Sequence, residues 1–375
     1  MPINELNVTN LRNIQSTKLN VSTHHNLLIG PNGSGKTSIL EACFILGVGK
    51  SFRPIDKKSI VNHSAEALIV SAVVDNTLPL YAGNTVRVGV TKSLNGKTSA
   101  KIAGEPIKRL SELANLFPVM ALEPNSVELV ESGPSIRRQF IDWGVFHVEH
   151  RYVRQLHLFN DALKQRNALL KKQGVHYSQF KYWDQQIVPA VHEILKFRSE
   201  YFEQLILEVN CLLPLFFDDY QNITIHLKHG WDNARDFSDV LSGEFDKDKQ
   251  FGFTRSGPHK MEMVVQYGEH FAKDYLSRGQ KKLLVYVLKL AQAALMQRLS
   301  GRSLTLLLDD LPSELDAVSC EKVCTELLNI GCQTFITSVH TSSLITNIKN
   351  ILNPKMFHVK HGTCTSDIDI PKGEN

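Results

Sequence analysis

Residues 26–40 read NLLIGPNGSGKTSIL, an apolar run that breaks into glycines and ends on Gly-Lys-Thr. Gly30, Pro31, Asn32, Gly33, Ser34, Gly35, Lys36 and Thr37 match the G-x-x-x-x-G-K-[ST] phosphate loop. In that pattern glycines let backbone N–H groups wrap phosphate, the lysine reaches the β- and γ-oxygens, and the hydroxyl binds Mg²⁺. The flanks decide whether the pattern means anything. HHNLLIG before it reads as a buried strand, and TSILEACFILGVG after it as a helix with Ile39, Leu40, Cys43 and Leu46 on one face. A loop between strand and helix N-terminus is where a phosphate binds, so an α/β fold that holds ATP is expected.

A second stretch, LTLLLDDLPSELD at 304–316, is a continuous apolar run ending in two aspartates, as a central parallel strand ends. At a strand's C-terminal edge Asp309, with Thr37, would hold Mg²⁺, and Asp310, with Lys36, would serve catalysis by polarising the attacking water. A third stretch, YLSRGQKK, opens a long helical pattern, and Leu276 to Gln280 resembles the LSGGQ signature of ATP-binding-cassette ATPases. Ser277 can cap that helix, leaving N–H groups and the positive dipole end for an anion. In that superfamily the signature meets the γ-phosphate of a nucleotide held by the other subunit. Ser277, Arg278, Gly279 and Gln280 are therefore a second half-site, and ATP would join two chains head to tail.

The 375 residues exceed what a single core organises, so two lobes are expected. Hydrophobic residues at 42% and charged ones at 21% fit an ordinary globular chain. A net charge of +4 is too weak to attract a polyanion by itself, so any such partner needs local basic patches. MPINELNVTN has neither the basic nor the apolar region of a secretory signal, and no apolar run approaches the about 20 residues that span a bilayer. A cytoplasmic protein without membrane contact is expected, its six cysteines free thiols. Cys320 and Cys324 lie one helical turn apart, but two ligands make a poor zinc site.

Period-2 runs at 67–74, 85–93 and 98–107 read as strands, with Asn95-Gly96 as a type I′ hairpin turn. From about residue 135 the period becomes helical, giving two long amphipathic helices, most simply an antiparallel pair. Strands return at 223–230 and 261–268, after SGEFDKDKQFG, which reads as a polar, mobile loop.

With these residues in view, the chain resembles the RecF recombination-repair family, relatives of the Rad50 and SMC heads. LNVTNLRNIQS, GPNGSGKTSILEA, GVGKSFRP, SGPSIRRQFIDWGVFH, ALKQRNALLKK, SGPHK, YLSRGQKK and DDLPSELD carry the likeness. The resemblance implies a P-loop NTPase head of the ABC/Rad50/SMC type with an inserted helical lobe. Its parts would be the N-terminal head (1–118), the helical lobe (119–252), and the C-terminal head with signature and Walker B (253–375). It further implies ATP and Mg²⁺, ATP-driven homodimerisation, and binding to gapped DNA at single-strand/double-strand junctions. The partners implied are RecO and RecR, with RecA loading, replication restart and the SOS response as outcomes, and a weak DNA-stimulated ATPase as timer. Lys36 and Thr37 fall on the Walker A pair, Asp309 and Asp310 on Walker B, and Ser313 to Asp316 on the D-loop. Asp310 stands where relatives of the superfamily usually carry glutamate, which predicts slow hydrolysis. Asn125 occupies the Q-loop region, and His340 lies two residues late for a switch histidine.

Duplex binding needs lysines and arginines on one face. Candidates are Arg53, Lys57 and Lys58; Lys92, Lys97 and Lys101; and Lys164, Arg166, Lys171 and Lys172, with Arg137 and Arg138 serving nucleotide sensing or lobe packing. Three other readings compete. A transporter ATPase is disfavoured by the long insertion, and an SMC-like structural protein by the lack of long heptad arms. A nucleotide-switched binding module with negligible hydrolysis stays open.

Overall fold

The computed structural model describes residues 2–53, 60–75, 84–232, 234–339 and 344–366. They form two compact units, Met1–Ser126 with Met296–Asn375, and Val127–Leu295. Both expected boundaries move. Val119–Leu122 pairs in parallel with Thr305–Leu308, so the first unit runs on past residue 118. Ile223–Lys228 pairs antiparallel with Glu262–Tyr267, and cutting at 252 would break that ladder, so residues 253–295, signature included, belong to the inserted unit.

The first unit has two six-stranded sheets. In one, the order is Thr363–Ser366, Lys355–Lys360, His25–Ile29, Gln333–Ser338, Thr305–Leu308, Val119–Leu122. All pairs are parallel except the edge strand Thr363–Ser366. The other is an antiparallel meander built on Ile3–Leu11, Ala67–Asp75 and Thr85–Ser93. Helix Lys36–Val48 packs between them, which is why it is buried on nearly every side rather than on the single face that its pattern suggests. Gly47 marks the closeness: a Cβ there would stand 2.4 Å from Val119 Cγ1 and 2.7 Å from the Phe117 carbonyl. Gln333 braces the two sheets, its amide exchanging 2.8 Å bonds with the N–H and C=O of Ile3 as a backbone would.

Of the hairpin expected from 85–93 and 98–107, Thr85–Ser93 pairs with Thr98–Ile102, the second strand turning back at 103–104, and the turn at Asn95-Gly96 differs. Only Gly96 takes positive φ (81°), with its N–H bonded to the Ser93 carbonyl, so the loop is a type I turn followed by a left-handed glycine.

The inserted unit contains the antiparallel pair Tyr152–Leu170 and Lys181–Phe216, the latter 36 residues long. Arg166 pairs with Asp184 near one end, and Arg198 with Tyr152 near the other. SGEFDKDKQFG is not a loose loop: Phe237–Gly243 and Phe245–Phe251 are helices. The reason is Asp248, 1% exposed, whose carboxylate accepts from Arg166 at 2.8 Å. Arg166 is wholly buried, bonding also to Asp184 (2.9 Å) and Thr254 (2.7 Å) beneath Phe180. A charge in that setting holds a lobe together and cannot meet DNA.

Candidate functional site

The strand His25–Ile29 delivers the chain to Gly30, where a Cβ would sit 2.2 Å from the Val359 carbonyl, so only glycine fits. Gly33 and Gly35 take positive φ (76° and 113°), curling the loop back over the helix start. Gly35 is the N-cap and no side chain caps that end, leaving the helix terminus suited to an anion. Pro31, Asn32 and Gly33 form the exposed rim, while Ser34 is buried with its hydroxyl lacking a partner.

Lys36 is 7% exposed and donates to the carbonyls of Gly30 (2.7 Å) and Pro31 (2.9 Å), so its ammonium lies within the loop's curve. Burial lowers its pKa from the ordinary lysine value, an effect that Asp310 and Asp309 oppose. Thr37 donates to Asp309 Oδ1 at 2.9 Å across 272 residues of sequence. One strand, Gln333–Ser338, separates His25–Ile29 and Thr305–Leu308, the strands that lead to them, and its Thr337 also donates to Asp309 Oδ1 at 2.9 Å. The same Thr337 hydroxyl accepts from the Asp310 N–H at 2.7 Å. Asp310 adopts a left-handed backbone (φ 55°, ψ 43°), and its Oδ1 is buried without a partner. Ammonium, two hydroxyls and two carboxylates thus converge at one sheet edge beside an uncapped helix. Hard oxygen donors with a buried cation fit a Mg²⁺–polyphosphate better than a soft metal.

Sequence reasoning gave no role to several neighbours. Asn13 donates to the Gly33 carbonyl (3.2 Å) and accepts from Ser38 (3.3 Å), clasping the loop from outside. Arg12 and Ser51 both engage the fully buried Glu41. Arg53, expected on DNA, stands instead 3.9 Å from Asp309 Oδ2. Arg12 and Asn13 lie inside LNVTNLRNIQS, a signal that was visible without a function attached; Thr337 had none.

In the inserted unit, Ser277 and Gln280 cap the helix Arg278–Ser300 reciprocally: Gln280 N–H donates to Ser277 Oγ (3.2 Å), and Ser277 N–H to Gln280 Oε1 (2.9 Å). Ser277, Arg278 and Gly279 are exposed, and a Cβ at Gly279 would meet nothing within 4 Å. Asp316, at the end of the expected D-loop, caps helix Ala317–Ile330 through Ser319. Asn125 is exposed in the turn Pro124–Val127.

Among the basic candidates, Lys97, Lys101, Lys164, Lys171 and Lys172 are exposed. Lys92 is buried (8%), on the inward side of its strand. Arg137 pairs with Glu262 at 2.5 Å and Arg138 donates to the Met261 carbonyl at 2.9 Å, which is lobe packing. Lys57, Lys58 and His340 lie outside the described residues. Among the described residues no group of three metal-ligating side chains occurs, Cys320 and Cys324 are buried free thiols, and no helix is long and apolar enough to cross a membrane.

The profile of the RecF/RecN/SMC N terminal domain matches residues 2–364. Proteins called DNA replication and repair protein RecF from Shewanella oneidensis and Shewanella amazonensis are 36% and 37% identical, over 97% of this chain and 99% of each relative. The solved structure of the recombination mediator protein RecF-ATPrS in the RecFOR pathway superposes with a TM-score of 0.80 at 25% identity, covering 97% of this chain and 98% of the other. An SmcHead bound to the C-winged helix domain of ScpA, 14% identical with a TM-score of 0.58 over 98% of this chain and 97% of that one, shares the fold.

Proposed function

Since the chain belongs to the RecF family of DNA replication and repair proteins, we propose that it is an ATP-gated DNA clamp of recombinational repair. ATP binding closes a homodimer on gapped DNA at single-strand/double-strand junctions, and hydrolysis reopens it. With RecO and RecR it would promote RecA loading, serving replication restart and the SOS response, inside the cytoplasm.

The observation that carries this reading is the meeting of Lys36, Thr37, Asp309 and Asp310 at one edge, from segments 272 residues apart. The loop Gly30–Gly35 wraps the phosphates with its backbone, and Lys36 exchanges carbonyl partners for β- and γ-oxygens. Mg²⁺ bound with the nucleotide would neutralise phosphate charge, and Thr37 and Asp309 are the oxygens placed to hold it. The unpartnered Oδ1 of Asp310 orients the attacking water and takes its proton. Gly279 supports action in trans. Glycine is a poorer helix former than alanine, and among the described residues nothing needs the space. A phosphate held by the other subunit would.

Asp310→Asn tests the closing step. The variant should bind ATP, hydrolyse it at least about a hundredfold more slowly, and accumulate as a dimer by sedimentation. A variant that stays monomeric at saturating ATP would overturn the clamp. A nucleotide switch without turnover would appear as wild-type dimers that persist with no phosphate release, with or without DNA.

A further inference from the structure

Phe251 and Phe253 of the inserted unit are large apolar rings left 56% and 41% exposed. Their centroids lie 6.2 Å apart, tilted by 59°. A cation lies over each: the Arg255 guanidinium 5.0 Å from the Phe251 centroid, and the Lys260 ammonium 5.3 Å from that of Phe253. The segment that presents them is fixed. Thr254 donates to Asn167 Oδ1 through both N–H and hydroxyl at 2.8 Å, and the Arg255 N–H donates to Asp248 Oδ1 at 3.0 Å. Asp248 is itself held by the buried Arg166.

Asn167 lies on helix Tyr152–Leu170, and residues three or four apart share a helix face. Lys164 is therefore on the side that carries the Phe251–Arg255 segment, and Lys171 approaches Gly252, its Cγ 3.6 Å from where a Cβ would stand. Lys164, Lys171 and Lys172 are all exposed. Lys260 also lines a cleft of about 480 Å³ with Lys228, His229 and Trp231. Of the acids nearby, Glu262 in the cleft pairs with Arg137, the half-buried Glu244 accepts from Ser256 at 2.7 Å, and helices Tyr152–Leu170 and Phe245–Phe251 expose only Asp161 and Asp246.

Cations alone would suit a duplex, whose bases are stacked on each other and out of reach of a ring. Exposed rings interleaved with cations suit a strand whose bases are free, because base–aromatic stacking adds to phosphate neutralisation. We propose that this surface binds single-stranded nucleic acid, bases stacking on Phe251 and Phe253 while Lys164, Lys171, Lys172, Arg255 and Lys260 meet the phosphates. The inference rests on the DNA-clamp reading and extends it: the inserted unit takes the unpaired strand of a gapped substrate.

The test is anisotropy of the full chain titrated onto labelled oligothymidylate and, separately, onto a blunt duplex, at one salt concentration with ATP present. Phe251→Ala/Phe253→Ala should weaken single-strand binding by about tenfold or more and leave duplex binding and ATP-driven dimerisation as in the wild type. Phe253→Trp should keep the affinity and lose indole fluorescence on binding the oligonucleotide, which a purely electrostatic contact would not cause. Equal single-strand affinities for the double-alanine variant and the wild type would overturn this proposal and leave the clamp standing. A wild type that binds duplex but no single strand would overturn it too, pointing to a protein partner for the rings. A wild type that binds neither substrate would remove the clamp reading itself.

Discussion

Thr337 joins the two aspartates at the cradle through one hydroxyl. It donates to the Asp309 carboxylate and accepts from the Asp310 N–H, so one side chain and one backbone position of the pair are set by a residue of the intervening strand. Thr337→Val keeps the shape but strips the bond from each. Turnover should fall about tenfold to a hundredfold, as expected when a catalytic group is misplaced, while ATP affinity, measured by calorimetry, stays near wild type. Equal losses in both would make Thr337 a general structural residue instead of a positioning one. The left-handed backbone at Asp310 gives a local reason for aspartate, a residue that tolerates that region better than glutamate. The other residue with a measurable signature is His259, stacked on Phe159 with Nε2 3.0 Å from the Thr254 carbonyl. Burial pushes its pKa down to about 4 from 6.5, so the folded protein keeps it neutral. As pH falls from 6.5 towards 4 the unfolded chain takes a proton that the folded one refuses, and stability falls by about 3 kcal/mol in all. Melting of the wild type should therefore steepen with acid across this window, and His259→Gln should flatten that dependence. Parallel curves would show that other groups govern the acid response.

Among the elements, the helix Arg278–Ser300 has a favourable start that one residue weakens. Ser277 and Gln280 give it a reciprocal cap, and Gly279 then weakens it without relieving any contact. Gly279→Ala should raise the stability of the monomer by about 0.5–1 kcal/mol yet weaken ATP-driven dimerisation at least severalfold. A variant that is more stable and dimerises normally would separate the signature from the nucleotide. The elements also divide by what their sequences could reveal. The hairpin through Asn95-Gly96 was legible because alternation and Asn-Gly are local signals, though its second strand ends at Ile102 and not at 107, and its turn type was not legible, since only Gly96 had to be left-handed. Phe245–Phe251 was illegible because the charge that makes it a helix-bound core element, Arg166, lies 82 residues from Asp248. Helix Lys36–Val48 was legible as a helix, but periodicity could not announce a second sheet on its other side.

At the scale of the molecule, three short motifs carry the fold because each occupies an obligatory place: loop after strand, acids at a strand's end, cap before a helix. Pairing is what they leave unstated. Val119–Leu122 joins the parallel sheet and Glu262–Tyr267 pairs with Ile223–Lys228, which moves both unit boundaries away from the expected 118 and 252. Basic residues were the least legible of all, since Arg166 is held inward by Asp184 and Asp248 and Lys92 is buried in its strand, while Lys164, Lys171 and Lys172 stay in solvent. If nucleotide in the cradle governs the grip on DNA, anisotropy of a labelled gapped duplex, titrated with ATP, with ADP and with neither at fixed salt, will show it. Binding should tighten at least about tenfold with ATP alone, in step with dimer formation; equal affinities in all three conditions would contradict an ATP-gated clamp.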